Sequence, residues 1–157
     1  MGRLVLSKDS SKGLYSLNVV IFSQKPGSET VPVKMFLDTG STLTSITERV
    51  AGDMGVDIYS LPKENVAGYG SIRSTPYISN VDVAVLGDGG DLKIVTLKKI
   101  GINSDVIAKE KIRGKGLGKR KVEVSAEMVN LAGLDLMAEL KGKVFLDVTN
   151  SNGYIEW

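Results

Sequence analysis

The chain of 157 residues has the length of a single ordinary domain. Its 20 Lys and Arg against 18 Asp and Glu give a formal net charge of +2, so bulk charge does not direct it to nucleic acid, a membrane or an acidic substrate. Histidine and cysteine are both absent, which excludes disulfides, thiolate metal ligands, a thiol nucleophile, a Ser-His-Asp triad and an HExxH zinc site. Any chemistry must therefore use carboxylates, hydroxyls, amines or backbone amides.

Alternating apolar and β-branched residues predict a sheet protein, with turn-forming residues between the strands. In chain order, the pattern predicts strands at Leu14–Phe22, Val31–Leu37, Ile72–Leu86, Leu92–Ile102, Val144–Asp147 and Tyr154–Trp157. Short helices are predicted at Thr47–Met54 and Leu134–Leu140. Pro76 within the third of these strands predicts an edge position. We therefore expect one all-β domain over residues 1–157, with one short helix near its C-terminus.

The N-terminus carries no uninterrupted apolar core of signal-peptide length. No stretch approaches the roughly 20 apolar residues that a membrane helix needs. We therefore expect a soluble, cytoplasmic protein without a membrane span.

A basic segment interrupts the strand pattern at Ala108–Lys121. It carries seven Lys and Arg and three Gly, opposed only by Glu110. The composition predicts a flexible basic insertion, most simply a solvated and mobile one. Docking to an acidic partner, nucleic acid or a membrane surface is the alternative. Aromatic residues are absent from it, which makes nucleic acid an unlikely partner.

The segment Met35–Thr42 reads MFLDTGST, an apolar strand that delivers an Asp to a tight turn followed by hydroxyl residues. A carboxylate at a strand end, surrounded by amide and hydroxyl donors, is suited to acid-base chemistry. The tripeptide alone is also an ordinary turn sequence, because Asp, Gly and Ser are common turn formers. Asp38 is the candidate catalytic residue.

MFLDTGST resembles the active-site motif of aspartic proteases, and two later segments match the retropepsin-like branch of that family. Val66–Gly87 is similar to the flap hairpin of retroviral proteases, and Leu131–Gly133 with the following LDLMAEL resembles their hydrophobic-hydrophobic-Gly motif and C-terminal helix. Ala132 is smaller than the aliphatic residue usual at its position. The resemblance covers most of the chain in family order and implies a retropepsin-like acid protease barrel.

The chain contains one Asp-Thr-Gly, whereas the reaction of aspartic proteases uses two facing carboxylates. The resemblance therefore implies a homodimer, in which Asp38 of each copy meets at a two-fold axis. Two such carboxylates share one proton and titrate as a unit. No metal or organic cofactor is implied.

By position in the motif, Thr39 and Gly40 are expected to be catalytic together with Asp38: Thr39 hydrogen-bonds across the dimer interface, and Gly40 gives the carboxylate an amide donor. Ser41 is expected to bind substrate together with Gly68, Tyr69 and Gly70. Ser41 is expected to bind the outer carboxylate oxygen, which lowers the pKa of the pair and favours an acidic activity optimum. Asp135 is expected to be a turn or surface residue.

Gly68, Tyr69 and Gly70 match the flap tip, and Tyr69 is expected to close over bound peptide while the glycines permit opening. An exposed turn Tyr is the alternative for Tyr69.

The resemblance thus implies an aspartic endopeptidase that acts on extended peptides or unfolded proteins, with apolar side chains preferred near the cut. Two alternatives remain open: a non-catalytic dimeric peptide-binding module of the same fold, and a nucleic-acid-binding β-barrel that uses the basic segment.

Overall fold

The computed structural model describes residues 1–68, 71–118 and 120–157, of which 68, 71, 106–113 and 120–127 are described by backbone alone. Tyr69 and Gly70 lie outside the described residues. The strands are β1 (Arg3–Asp9), β2 (Leu14–Ser23), β3 (Val31–Leu37), β4 (Ser45–Thr47), β5 (Lys63–Gly68), β6 (Ser71–Leu86), β7 (Leu92–Asn103), β8 (Val106–Arg113), β9 (Arg120–Glu127), β10 (Leu131–Ala132), β11 (Lys143–Asp147) and β12 (Asn152–Glu156). The helices are α1 (Glu48–Asp53) and α2 (Leu134–Leu140), with short 3-10 turns at Ile58–Ser60 and Gly116–Gly118.

Ten strands form one sheet in the order β11-β12-β1-β2-β3-β10-β4-β7-β6-β5. An additional pairing of β2 with β6, from Val20↔Ala84 to Ser23↔Val81, closes the middle of this sheet on itself. The closed part is a barrel, because β2, β3, β10, β4, β7 and β6 form a ring of paired strands. The predicted all-β fold with a short C-terminal helix is confirmed.

The core lies inside this barrel. Buried and more exposed positions alternate along residues 31–35 of β3 and 94–98 of β7, as a period of two requires. Ile21, Met35 and Leu97 are fully buried. Helix α2 covers one end of the core with Leu136 and Leu140, which are also fully buried. Burial of these apolar side chains, at about 25 cal/mol per Å2, is the main stabilising term.

The β5–β6 hairpin projects from the barrel. Strand β5 pairs with the first part of β6, from Lys63↔Pro76 to Gly68↔Ser71. Strand β6 begins to pair with β7 only at Tyr77. Pro76 is therefore in an edge position, as predicted, since its missing N–H faces no neighbouring strand on the β7 side. We call β5 and residues 71–76 the flap hairpin.

The segment predicted as a flexible basic loop, 108–121, instead contributes half of the strand residues of a second sheet. Its two arms lie in β8 and β9, which pair with each other from Val106↔Glu127 to Arg113↔Arg120. The prediction gave weight to Gly and charge, whereas in β9 the apolar Val122, Val124 and Ala126 alternate with polar residues, which fits a strand. The hairpin is a separate two-stranded sheet outside the barrel.

No helix in the described ranges has the length and apolar character needed to cross a membrane.

Candidate active site

Asp38 follows directly after β3 and is held there by β10. The short strand β10 lies between β3, to which it is parallel, and β4, to which it is antiparallel. The Asp38 backbone N–H donates to the Ala132 carbonyl at 3.0 Å. Phe36 and Leu37 are buried and anchor the end of the strand. The Asp38 side chain is half-buried at the surface of the barrel, so its carboxylate is both positioned and accessible.

A tight turn follows Asp38. The Gly40 N–H donates to Asp38 Oδ1 at 2.9 Å, and the Ser41 N–H donates to the Asp38 carbonyl at 3.2 Å. A Cβ on residue 40 would stand 3.2 Å from Asp38 Oδ1, so glycine allows the carboxylate to approach the amide closely. Thr39 and Gly40 are exposed, and Thr39 therefore lies where a second molecule could reach it.

Ser41 does not bind the Asp38 carboxylate, contrary to the expectation from its position in the motif. Its hydroxyl donates to the Leu43 carbonyl at 2.7 Å. A hydroxyl has one proton to donate, so the bond to Leu43 takes the proton that the expected bond required. Ser41 thus stabilises the turn that follows Asp38 rather than the charge on the carboxylate.

The carboxylate of Asp135 stabilises the segment that follows the Asp38 turn. Its Oδ1 accepts from the Thr44 N–H at 2.9 Å, from the Thr44 hydroxyl at 2.6 Å and from the Leu136 N–H at 2.8 Å. The Thr44 hydroxyl in turn accepts from the Gly133 N–H at 3.0 Å. Thr44 is fully buried. The sequence analysis placed Asp135 among turn or surface residues; its position in the first turn of the predicted helix, where acidic side chains are favoured, was the available signal.

Gly133 allows the two segments to touch. A Cβ at this position would lie 2.7 Å from the backbone carbon of Leu43 and 2.9 Å from the Thr44 nitrogen. No side chain fits there, because backbone atoms cannot move aside. The Leu134 N–H donates to the Ser41 carbonyl at 2.9 Å across the same contact. The hydrophobic-hydrophobic-Gly motif therefore supports the Asp38 turn directly.

Asp38 opens into a cleft of about 330 Å3 between its turn, the flap hairpin and β7. The lining residues are Asp38, Gly40, Ser41, Thr42, Leu43, Ser45, Val66, Ala67, Arg73, Thr75, Gly101, Asn103 and Leu131. The structure thus brings Asp38, Gly40 and Ser41 together in one cleft. Tyr69 and Gly70 lie outside the described residues, and Gly68 is described by its backbone, which ends β5 opposite Ser71. Arg73, Thr75 and Asn103 are cleft residues that sequence reasoning missed, since they are separated from the Asp38 motif in the chain.

An ion pair braces the base of the flap hairpin. The Lys99 Nζ on β7 lies 2.5 Å from Glu64 Oε2 on β5 and 4.8 Å from the centre of the Tyr77 ring. The hydrogen bond to Glu64 raises the pKa of Lys99 above its usual range. Both side chains are partly exposed, so the pair is a modest support.

The parts of the chain that the structure describes contain no group of three His, Cys, Asp or Glu side chains able to hold a metal ion. The acids of the site, Asp38 and Asp135, are instead surrounded by backbone amides and hydroxyls.

Among solved structures, the chain is similar to a retropepsin-like aspartic protease from Rickettsia conorii. The two share 17% sequence identity with a TM-score of 0.61, and the match covers 98% of this chain and 89% of the other. No protein-family model and no curated protein matches the sequence. The likeness spans essentially the whole chain and shows that this protein has the all-β fold of that retropepsin-like protease.

Proposed function

We propose that the protein is an aspartic endopeptidase in which Asp38 activates water for attack on a peptide bond. The observation that carries the proposal is the placement of the Asp38 carboxylate, which accepts the Gly40 N–H at 2.9 Å and faces a cleft beneath the flap hairpin. A fixed amide donor orients a carboxylate for proton transfer. The retropepsin-like fold supports the same reaction class.

The reaction requires a second carboxylate, which we propose comes from a second copy of the chain. Among the described residues that line the cleft, Asp38 is the single acid. Peptide hydrolysis of this type needs one carboxylate to accept a proton and one carboxyl group to donate a proton. A two-fold axis next to the exposed Thr39 would bring the two Asp38 side chains together in an isologous dimer.

In this dimer the two carboxyl groups hold one proton between them, because like charges a few Å apart do not both ionise. The ionised group takes a proton from water, whose oxygen bonds to the peptide carbonyl carbon, while the protonated group gives its proton to the carbonyl oxygen. The resulting diol then returns a proton to the pair, the pair protonates the nitrogen, and the C–N bond breaks. The products are a carboxylic acid and an amine, and the pair regains its single proton.

The test compares wild type, Asp38→Asn and Asp53→Asn on an unfolded protein between pH 3 and 7. Asp53 is an exposed acid outside the cleft and serves as the matched control. We expect acid-favoured cleavage by wild type and Asp53→Asn, and a loss of at least about 1,000-fold in Asp38→Asn. Sedimentation should show a dimer in the active samples.

Equal cleavage by wild type and Asp38→Asn would contradict the proposal. Peptide binding by a folded wild type that cleaves at no pH would instead support a dimeric peptide-binding module.

A further inference from the structure

The cleft beside Asp38 has a polar recess where β4, β6 and β7 meet. Ser45 on β4 pairs with Gly101 on β7, and Tyr77 on β6 pairs with Gly101 from the other side. A Cβ on residue 101 would lie 3.1 Å from Leu43 Cδ2 and 3.8 Å from Thr75 Cγ2. Glycine at 101 therefore lets the Leu43 side chain pack close to this wall, and all four positions Ser45, Thr75, Gly101 and Asn103 line the cleft. We call Ser45, Thr75, Gly101 and Asn103 the polar recess.

The side chains of the polar recess can hydrogen-bond to a ligand. The Asn103 amide donates to Ser45 Oγ at 2.9 Å, which fixes the orientation of both groups. The Ser45 and Thr75 hydroxyls each carry a proton that they can donate. Ser45 is 7% exposed, so an apolar ligand group in the recess would remove water from these polar atoms without replacing its hydrogen bonds.

A positive charge stands on the same wall. Arg73 lines the cleft from β6, two residues before Thr75, so alternation along the strand places both side chains on one face. Arg73 and Asp38 are the charged groups among the described lining residues. A guanidinium has five N–H donors and meets a carboxylate with two of them, so Arg73 can bind a carboxylate together with a partner inside the protein.

We propose that Arg73 and the polar recess bind an acidic side chain, Glu or Asp, of the peptide substrate. The proposal rests on the proposed function for the site and adds its substrate class, which differs from the apolar preference that the family resemblance implies. The shared proton leaves the Asp38 pair with one negative charge, so a carboxylate paired with Arg73 is tolerated nearby. Because each subunit supplies one recess, an acid is preferred at two positions, one on each side of the cut.

The test uses eight-residue peptides in which Glu replaces Gln at one position at a time. The kcat/KM of wild type at pH 5.5 should favour Glu over Gln by about tenfold at two positions. The ratio should fall toward one below about pH 4.3, where the Glu carboxyl is protonated. Peptide binding to Asp38→Asn, measured by fluorescence polarisation, should show the same preference without turnover. This second measurement decides the proposal even if no peptide is cleaved and the proposed function fails.

Substitutions of Arg73 and Thr75 test whether these residues cause the preference for Glu over Gln. Arg73→Gln should abolish it, Arg73→Lys should retain part of it, and Thr75→Val should weaken it about threefold. Arg49→Gln, an exposed basic position outside the cleft, is the control and should keep the full preference. Melting curves confirm that each variant is folded. Equal use of Glu and Gln at every position, or a Glu preference that survives in Arg73→Gln, would overturn the proposal.

Discussion

The two sides of the cleft are held in different ways. On the Asp38 side, two segments are joined by hydrogen bonds of 2.6 to 3.0 Å between the buried Thr44 and Gly133 and the half-buried Asp135, and by a backbone contact with no room for a side chain. On the opposite side, β5 pairs only with β6 among the described strands, and a partly exposed ion pair braces its base. From this difference we expect the wall that carries Asp38 to be the more rigid of the two.

The largest effect on stability is expected at Gly133, where there is no room for an added side-chain atom. Gly133→Ala places a methyl group within 2.9 Å of three backbone atoms of Leu43 and Thr44, which should lower the free energy of unfolding by about 3 kcal/mol. Gly52→Ala is the control, because a Cβ there meets nothing within 4 Å and a helical Gly→Ala change should stabilise by about 0.5 kcal/mol. Urea unfolding measures both. A fully stable Gly133→Ala would show that the two segments can separate.

The second largest effect on stability is expected from substitution of Asp135. Asp135→Ala removes the acceptor of three hydrogen bonds and leaves the buried Thr44 N–H without it, so it should destabilise the protein by about 2 kcal/mol and reduce kcat. Asp135→Asn keeps an oxygen in the same place and should cost about half as much. If the two variants lost equal stability, the oxygen would not be what supports the Asp38 turn.

A smaller effect is expected at the base of the flap hairpin. Lys99→Met breaks the pair with Glu64, which is partly exposed, so the free energy of unfolding should fall only slightly. Hydrogen exchange of the β5 amides should nevertheless become faster, and KM should change more than kcat. Lys98→Met, at the exposed neighbouring position, should alter neither. An unchanged rate of hydrogen exchange at the β5 amides in Lys99→Met would show that the ion pair does not stabilise the flap hairpin.

The smallest effect is on acid stability away from the cleft. The Ser11 hydroxyl lowers the pKa of Asp9, and the Asn150 side chain lowers the pKa of Asp147. A lowered carboxyl pKa stabilises the folded state above the unfolded pKa of about 3.9, and this contribution is lost as pH falls through the folded value. In Asp9→Asn and Asp147→Asn, Tm should therefore depend less on pH between 5 and 2.5 than in wild type. If Tm of the two variants depended on pH as strongly as that of wild type, other groups would be responsible for the loss of stability in acid.

Much of the fold was predictable because strand alternation is local. Strands β2, β3, β6 and β7 and helix α2 were predicted within one residue of their ends. Strands β4 and β10 were missed because they are three and two residues long and form only through contact with distant strands. The sheet of β8 and β9 was missed because its basic residues and glycines outweighed the strand pattern.

The candidate site was predictable only in part. Asp38 and Gly40 were found from a contiguous motif, and the N–H to carboxylate bond between them is local. The partner of the Ser41 hydroxyl was predicted wrongly, because the nearby Leu43 carbonyl competes for the same proton. Asp135, Arg73 and Asn103 are distant from Asp38 in the sequence. The pairing of the barrel strands brings them near it, and no single segment of sequence reveals that pairing.

The interleaving of β10 between β3 and β4 also constrains how the protein is made. Asp135 is 91 residues beyond Thr44 along the chain, so the turn around Asp38 gains this support only after those 91 residues have been synthesised. Closing so long a loop is slow compared with forming a hairpin. A nascent chain that has not yet reached Asp135 therefore carries Asp38 without the hydrogen bonds that support the turn after it.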